Sequence, residues 1–275
     1  MLKLLACLLM LIDHIGLYFS DLLPADVVLI MRAIGRLAFP IFAWQVARGF
    51  DRTRNLLFYF IRMSVFAVLS ELIIRFSHRM IGLSLNGTNV LVTFSLALVV
   101  LSGYRLAMHS FHDMIASLRP ISPTAHTMPT ATRFDVRINL GGITLEPRIG
   151  LLIGTLMIIS AVAAAIWLKP DYNLYGLASV LLFYVIQDTV AEEDQQRRSI
   201  QAFTILNIVF VPIRIFWNHF QPEWAVLQCL SVLGLPLCYR FDVNKRPGRA
   251  IQYFFYAFYP LHIFLLCLLH YLLSK

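Results

Sequence analysis

The chain has 275 residues, 59% hydrophobic and 14% charged, with a mean hydropathy of +0.73. About a quarter of the residues of a soluble domain are charged, and the deficit here runs the full length. This excludes a soluble enzyme on a single anchor and leaves room for many spans of roughly 20 apolar residues each. The net charge of +8 would point to nucleic acid in a soluble protein. In a membrane protein basic residues collect in cytoplasmic loops, so their placement is read first.

Apolar stretches predict helices over about 2–20, 27–50, 55–74, 89–108, 149–168, 174–190, 199–218, 223–239 and 253–273, about nine spans in all. The fold class is all-α, a polytopic transmembrane bundle forming one integral membrane domain over residues 1–275. The first stretch has no A-x-A-like cleavage site, and Asp13 and His14 interrupt it. It therefore reads as a retained helix rather than a signal peptide. Polar loops with Pro or Gly breakers (Pro24, Gly82, Gly87, Pro170, Pro222, Pro247, Gly248) separate the stretches.

The loops after spans two, four, six and eight hold most of the basic residues. They carry Arg48, Arg52 and Arg54, then Arg105, Arg119, Arg133, Arg137 and Arg148, then Arg197 and Arg198, and last Arg240, Lys245, Arg246 and Arg249. The opposite loops hold Arg75, Arg79 and Lys169. This asymmetry predicts a cytoplasmic N-terminus and an external C-terminus. The positive charge is thereby used for topology, and nucleic acid is set aside. Residues 109–148 form one long polar insertion, cytoplasmic in this topology, with His109, His112 and His126 and four prolines. These histidines lack metal-ligand spacing, so no metal is expected. Cys7, Cys229, Cys238 and Cys267 sit in apolar segments, match no zinc or redox motif, and read as small core residues.

An ionisable side chain at membrane depth costs at least a few kcal/mol, so it faces a partner or a cavity. Asp13 and His14 lie in the run IDHIG of span one. Arg32 and Arg36 share a face of span two, Arg36 within GRLAFPIFA. Arg62 and Glu71 lie in span three, Asn89 opens span four, Tyr175 opens span six, Asn207 and Arg214 lie in span seven, and His262 lies midway along span nine. Arg62 and Arg214 read as snorkelling to opposite interfaces. With the N-terminus inside, Asp13, His14, Arg36, Glu71, Asn89 and Tyr175 all fall in the outer half of the bilayer, and His262 falls near mid-depth. That agreement predicts a shared polar pocket open towards the outer face. Histidine titrates near neutrality and suits general-base work.

The runs IDHIG, GRLAFPIFA, Asn89-Val-Leu, Tyr175-Gly176-Leu and FFYAFYPLHIF, in this order from about residue 3 to 270, resemble the TraX family of bacterial membrane proteins associated with conjugative pili. That family looks related to the transmembrane acyltransferases, and its best-known activity is N-terminal acetylation of the pilin subunit. The resemblance implies a multi-pass inner-membrane acetyltransferase using cytoplasmic acetyl-CoA. It further implies a pilin or another peptide as the acceptor. Asp13, His14, Gly35, Arg36, Asn89, Tyr175 and His262 match the family's pattern. Glu71, in SELI, is found in only part of it. The 109–148 insertion is longer than in the pilin-acetylating members.

Acetyl transfer from a thioester needs a base for the acceptor and a donor for the oxyanion. His14 is the expected base, oriented by Asp13 or Glu71. Neighbours on a helix point about 100° apart, which favours Glu71 for this task and Asp13 as a partner for Arg36. Asn89 or Tyr175 would steady the carbonyl oxygen. His262 would act as a second proton carrier or line the thioester channel. Arg48, Arg52 or Arg54 would meet the phosphates of acetyl-CoA. Two other classes fit an intramembrane set of Asp, His, Glu and Arg: a proton-coupled transporter and a non-enzymatic assembly factor of a pilus or secretion machine. The oligomeric state is not encoded in these features.

Overall fold

The computed structural model describes residues 2–84, 86–118, 146–217, 226–241 and 248–274. Among the described residues ten α-helices are defined: α1 Leu2–Tyr18, α2 Ala25–Gly35, α3 Ala38–Arg52, α4 Leu56–Met80, α5 Val90–Leu118, α6 Pro147–Leu168, α7 Asn173–Thr189, α8 Glu192–Trp217, α9 Leu235–Arg240 and α10 Arg249–Leu273, with a 3-10 turn over Gln228–Gly234 before α9. Among the described residues six stretches are long and apolar enough to cross a membrane: Ala25–Arg52, Leu56–Met80, Val90–Ser117, Pro147–Leu168, Glu192–Phe216 and Ile251–Leu273. The remaining apolar stretches predicted from the sequence fall on α1, on α7 and on the 3-10 turn with α9, and these helices are shorter. The protein is an all-helical membrane protein.

α3 and α7 form the centre. Trp44 and Phe50 on α3 are fully enclosed, as are Val180 and Phe183 on α7 and Phe203 on α8. The outer helices present apolar side chains outward instead: Phe58, Leu72 and Phe76 on α4, Leu152 and Trp167 on α6. Outward-facing leucine and phenylalanine suit a hydrocarbon solvent as well as a protein core. α5 and α6 pack backbone to backbone. A Cβ on Gly103 or on Gly154 would stand 2.6 Å from the other's carbonyl oxygen, the close approach that small residues allow between membrane helices.

Two local breaks shape the site. The second apolar stretch is not one helix but two, α2 and α3, with Arg36 and Leu37 between them. Pro40 lies in the first turn of α3, where its missing N–H costs nothing. Its ring cannot sit against the carbonyl of Arg36 in a continuous helix, so the helix breaks there. α2 also comes so near α1 that a Cβ at Gly35 would overlap the Asp13 side chain. Gly35→Ala is therefore expected to displace Asp13 and cost about 1–3 kcal/mol, read as a lowered melting temperature in detergent. An unchanged melting temperature would show that α2 can move aside freely.

The second break is the connection from α6 to α7. Lys169, Tyr172 and Asn173 have φ of 46°, 65° and 39°, and left-handed backbone at non-glycine residues stores strain. It is held by the α4–α5 connection: Asp171 N–H donates to the Thr88 carbonyl at 2.9 Å and Thr88 N–H to the Lys169 carbonyl at 3.3 Å. The result lays the Tyr172 ring on Phe39 with centroids 3.7 Å apart.

The polar insertion begins later than the sequence predicted. α5 continues through His109 and His112 to Leu118, because nothing between Gly103 and Pro120 stops a helix. Its 29 residues make a rod of about 44 Å, longer than a bilayer's hydrocarbon core of roughly 30 Å. Residues 119–145 of the insertion, with His126, Arg119, Arg133 and Arg137, lie outside the described residues, as do Pro222, Lys245, Arg246 and Pro247, while Pro147 and Arg148 open α6.

Candidate active site

α1, α4 and α10 lie side by side and run the same way. At one end Lys3 of α1 meets Phe255 of α10, and Arg62 of α4 meets Tyr256 of α10. At the other end the Tyr18 hydroxyl bonds His78 Nε2 at 2.7 Å, joining α1 to α4. His14 and His262 meet between these two ends.

Five residues before its C-terminal Tyr18, α1 carries Asp13. Arg32 and Arg36 are one turn apart and both reach it: Arg32 Nη1 to Oδ2 at 2.7 Å and Arg36 Nη2 to Oδ1 at 3.2 Å. The three side chains are only 14–15% exposed. The sequence pointed to Arg36 as the partner; Arg32 is the shorter contact. A carboxylate gripped by two guanidiniums inside a bundle is costly to break, because the partners are left charged and buried.

His14 points to another helix. Its Nδ1 lies 2.7 Å from His262 Nε2, with the rings stacked at 4.9 Å. The other nitrogen of His262, Nδ1, lies 2.7 Å from the Phe258 carbonyl of its own helix. These contacts fix the protons. A carbonyl can only accept, so His262 Nδ1 donates. In a neutral ring Nε2 then accepts, so His14 Nδ1 donates to it. His14 is thereby held with the lone pair on Nε2, the form a general base requires. His262→Ala is expected to release the His14 ring and let both of its neutral tautomers form, read from the ring-nitrogen NMR shifts of His14; an unchanged single tautomer would show that His262 does not hold it.

Glu71, the expected orienter, lies elsewhere. Its carboxylate accepts from the Asn89 backbone N–H at 3.0 Å and from Asn89 Nδ2 at 2.8 Å, and pairs with Arg75 at 2.7 Å. Asn89 is committed as well. Its Nδ2 also donates to the Ala67 carbonyl at 2.8 Å, and its Oδ1 caps α5 by accepting from Leu91 N–H at 2.9 Å. The pair ties α4 to the start of α5, as interhelical side-chain hydrogen bonds do in membrane bundles.

Tyr175 belongs to a buried hydrogen-bond chain. Its hydroxyl donates to Asn207 Oδ1 at 3.1 Å and accepts from Gln228 Nε2 at 3.4 Å, while Arg36 Nη1 donates to Gln228 Oε1 at 3.4 Å. The chain links the α2–α3 break, the 3-10 turn, α7 and α8 to the guanidinium that holds Asp13. Arg214 does not snorkel away. Its guanidinium lies 5.4 Å from the Tyr175 ring centroid, a cation–π position.

Arg48 and Arg52 share a face in the last turns of α3, with Arg48 4.9 Å from the Trp44 ring centroid. Arg54 is exposed on the connection to α4. Along α3 Arg48 and Arg52 lie about 18 and 24 Å from Arg36 at the rise of an α-helix. The sequence thus brings together Asp13 with Arg36 and His14 with His262. It does not bring Glu71 and Asn89 to His14, and Arg48, Arg52 and Arg54 stand at the far end of α3.

Arg32, Arg214, Gln228 and the Tyr18–His78 pair also belong to the polar interior. Arg32 was visible as a charge within a span. Gln228 carries no charge and lies in a short stretch without helical periodicity, so no sequence signal marks it.

A helical bundle with charged and hydrogen-bonded side chains in its interior is an integral membrane protein. The family model described as TraX protein matches residues 1–127 and 143–270, and the chain belongs to the TraX family. Comparisons with curated proteins and with solved structures gave no match.

Proposed function

We propose that the protein is an inner-membrane acetyltransferase that moves an acetyl group from cytoplasmic acetyl-CoA to an amine at the membrane or its outer face. A pilin N-terminus is the acceptor that the family favours; another peptide is the second choice. The observation carrying this reading is the 2.7 Å His14–His262 bond, which leaves His14 Nε2 free as a base beside two arginines.

In the proposed reaction the free amine loses a proton to His14 Nε2 as its nitrogen attacks the thioester carbonyl. The developing oxyanion is met by Arg32 or Arg36, since the Asn89 amide and the Tyr175 hydroxyl are already engaged. The C–S bond then breaks, and the proton held by His14 passes to the departing sulfur, giving the amide and coenzyme A. Asp13 fixes the two guanidiniums. Tyr175 and Gln228 steady Arg36 from behind. With the N-terminus in the cytoplasm, Arg48, Arg52 and Arg54 take the donor's phosphates at the inner face, and the surrounding lipids supply the seal.

Acetyl-CoA binding to the purified protein in detergent tests this. Saturable binding in the micromolar range, within the usual span of KM values, is expected. No binding at millimolar donor would refute the acetyltransferase and favour a proton-coupled transporter or an assembly factor.

A further inference from the structure

A groove of about 300 Å³ opens sideways between α4 and α10, lined by Phe58, Ile61, Arg62, Val65, Phe66 and Tyr253. Its apolar wall faces outward: Phe58 is 69% exposed, Val65 50% and Tyr253 51%. Its polar end belongs to Arg62, whose guanidinium lies 5.6 Å from the Tyr59 ring and 5.5 Å from the Tyr256 ring. Lys3 stands within electrostatic reach of Arg62, with its Nζ 5.5 Å from the Phe255 ring. Among the described residues, no carboxylate ion-pairs with Lys3 or Arg62, and Arg62 Nε is buried with no hydrogen-bond acceptor.

These groups lie at one level. Lys3 is the second residue of α1, Arg62 the seventh of α4 and Tyr253 the fifth of α10. At about 1.5 Å per residue they sit within roughly 10 Å of their helix starts, the depth of a bilayer's headgroup boundary. Two cations above an outward-facing apolar slot match a ligand with a phosphate at one end and a hydrocarbon chain at the other.

We propose that this groove is a specific site for one anionic phospholipid of the leaflet at the N-terminal end of α1. The phosphate sits between Lys3 and Arg62, and one acyl chain lies along Phe58, Ile61 and Val65. The aromatic faces of Tyr59 and Tyr256 hold the guanidinium in place. The site is separate from the acetyl-transfer chemistry, since Lys3 is about 16 Å from His14 along α1. It stands or falls independently of that reading.

The test is native mass spectrometry of the full-length protein in detergent, titrated with dioleoylphosphatidylglycerol or dioleoylphosphatidylcholine. One saturable phosphatidylglycerol is expected, with phosphatidylcholine much weaker. A juxtamembrane cation contributes about fivefold in affinity for an anionic lipid. Arg62→Gln and Lys3→Gln are each expected to weaken phosphatidylglycerol about fivefold, and Arg62→Lys to retain most of the binding. Lys3→Gln keeps the test open if Arg62→Gln does not fold. Equal binding of both lipids, or no loss in Lys3→Gln, overturns the proposal. So does displacement of the lipid by coenzyme A, which would assign the groove to the acyl donor.

Discussion

Replacing His14 with alanine is expected to lower the rate of acetyl transfer about 10²–10⁴-fold, the usual contribution of a positioned general base. The fold should survive, because alanine is the best helix former and His14 is only partly buried. Among the described residues its side-chain hydrogen bond goes to His262, and His262 keeps its bond to the Phe258 carbonyl without it. Acetyl-CoA affinity should therefore stay near the wild-type value while kcat falls. Measuring both in the purified protein separates a lost base from a lost binding site. Unchanged turnover would remove His14 from the chemistry.

The largest stability effect is expected at Asp13. Asp13→Ala leaves Arg32 and Arg36 facing each other in the bundle without the carboxylate they share. Breaking a buried ion pair from one side costs about 3–5 kcal/mol, a large part of the roughly 5–15 kcal/mol that holds a protein together. The variant is expected to aggregate on extraction or to melt far below wild type. Replacing all three residues together, Asp13→Leu with Arg32→Met and Arg36→Leu, removes the stranded charges. It is expected to recover much of the stability, as apolar replacement of whole buried ion clusters does, but none of the activity. A stable, active Asp13→Ala protein would mean that this cluster neither holds α1 to α2 nor serves the site.

The sequence carried the fold in its apolar stretches, because a chain that must satisfy its backbone in hydrocarbon has little choice but helices. The break after Gly35 was less legible. The hydropathy of 27–50 is unbroken, and only Pro40 marks the place. α5 ran past its predicted end because hydropathy falls at His109 while helix propensity does not. Within the site, Asp13 and Arg36 were legible as charges at matching depth, since opposite charges inside a membrane seek each other.

Depth alone could not decide between Glu71 and His262 as the partner of His14. All three lay at compatible levels, and the choice depends on how α1, α4 and α10 are rotated about their axes. α1 turns His14 towards α10, while Arg75 and Asn89 hold Glu71 at the α4–α5 junction. A carboxylate was expected where the molecule uses a second imidazole backed by a backbone carbonyl. Both can fix the same tautomer of His14, so the orienting contact expected of a carboxylate is made here by a different residue. The approach of Arg214 to Tyr175 has the same origin: a position near a helix end does not tell which way a long side chain turns.

Acetyl transfer dependent on His14 is the central claim, and mass spectrometry of envelope fractions tests it most directly. Cells lacking the protein would be complemented with wild type or with His14→Ala at matched membrane levels. An envelope peptide, with a pilin N-terminus foremost, is expected to carry an acetyl group with wild type and to lose it with His14→Ala. Acetylated species identical in all three cell types would contradict the account.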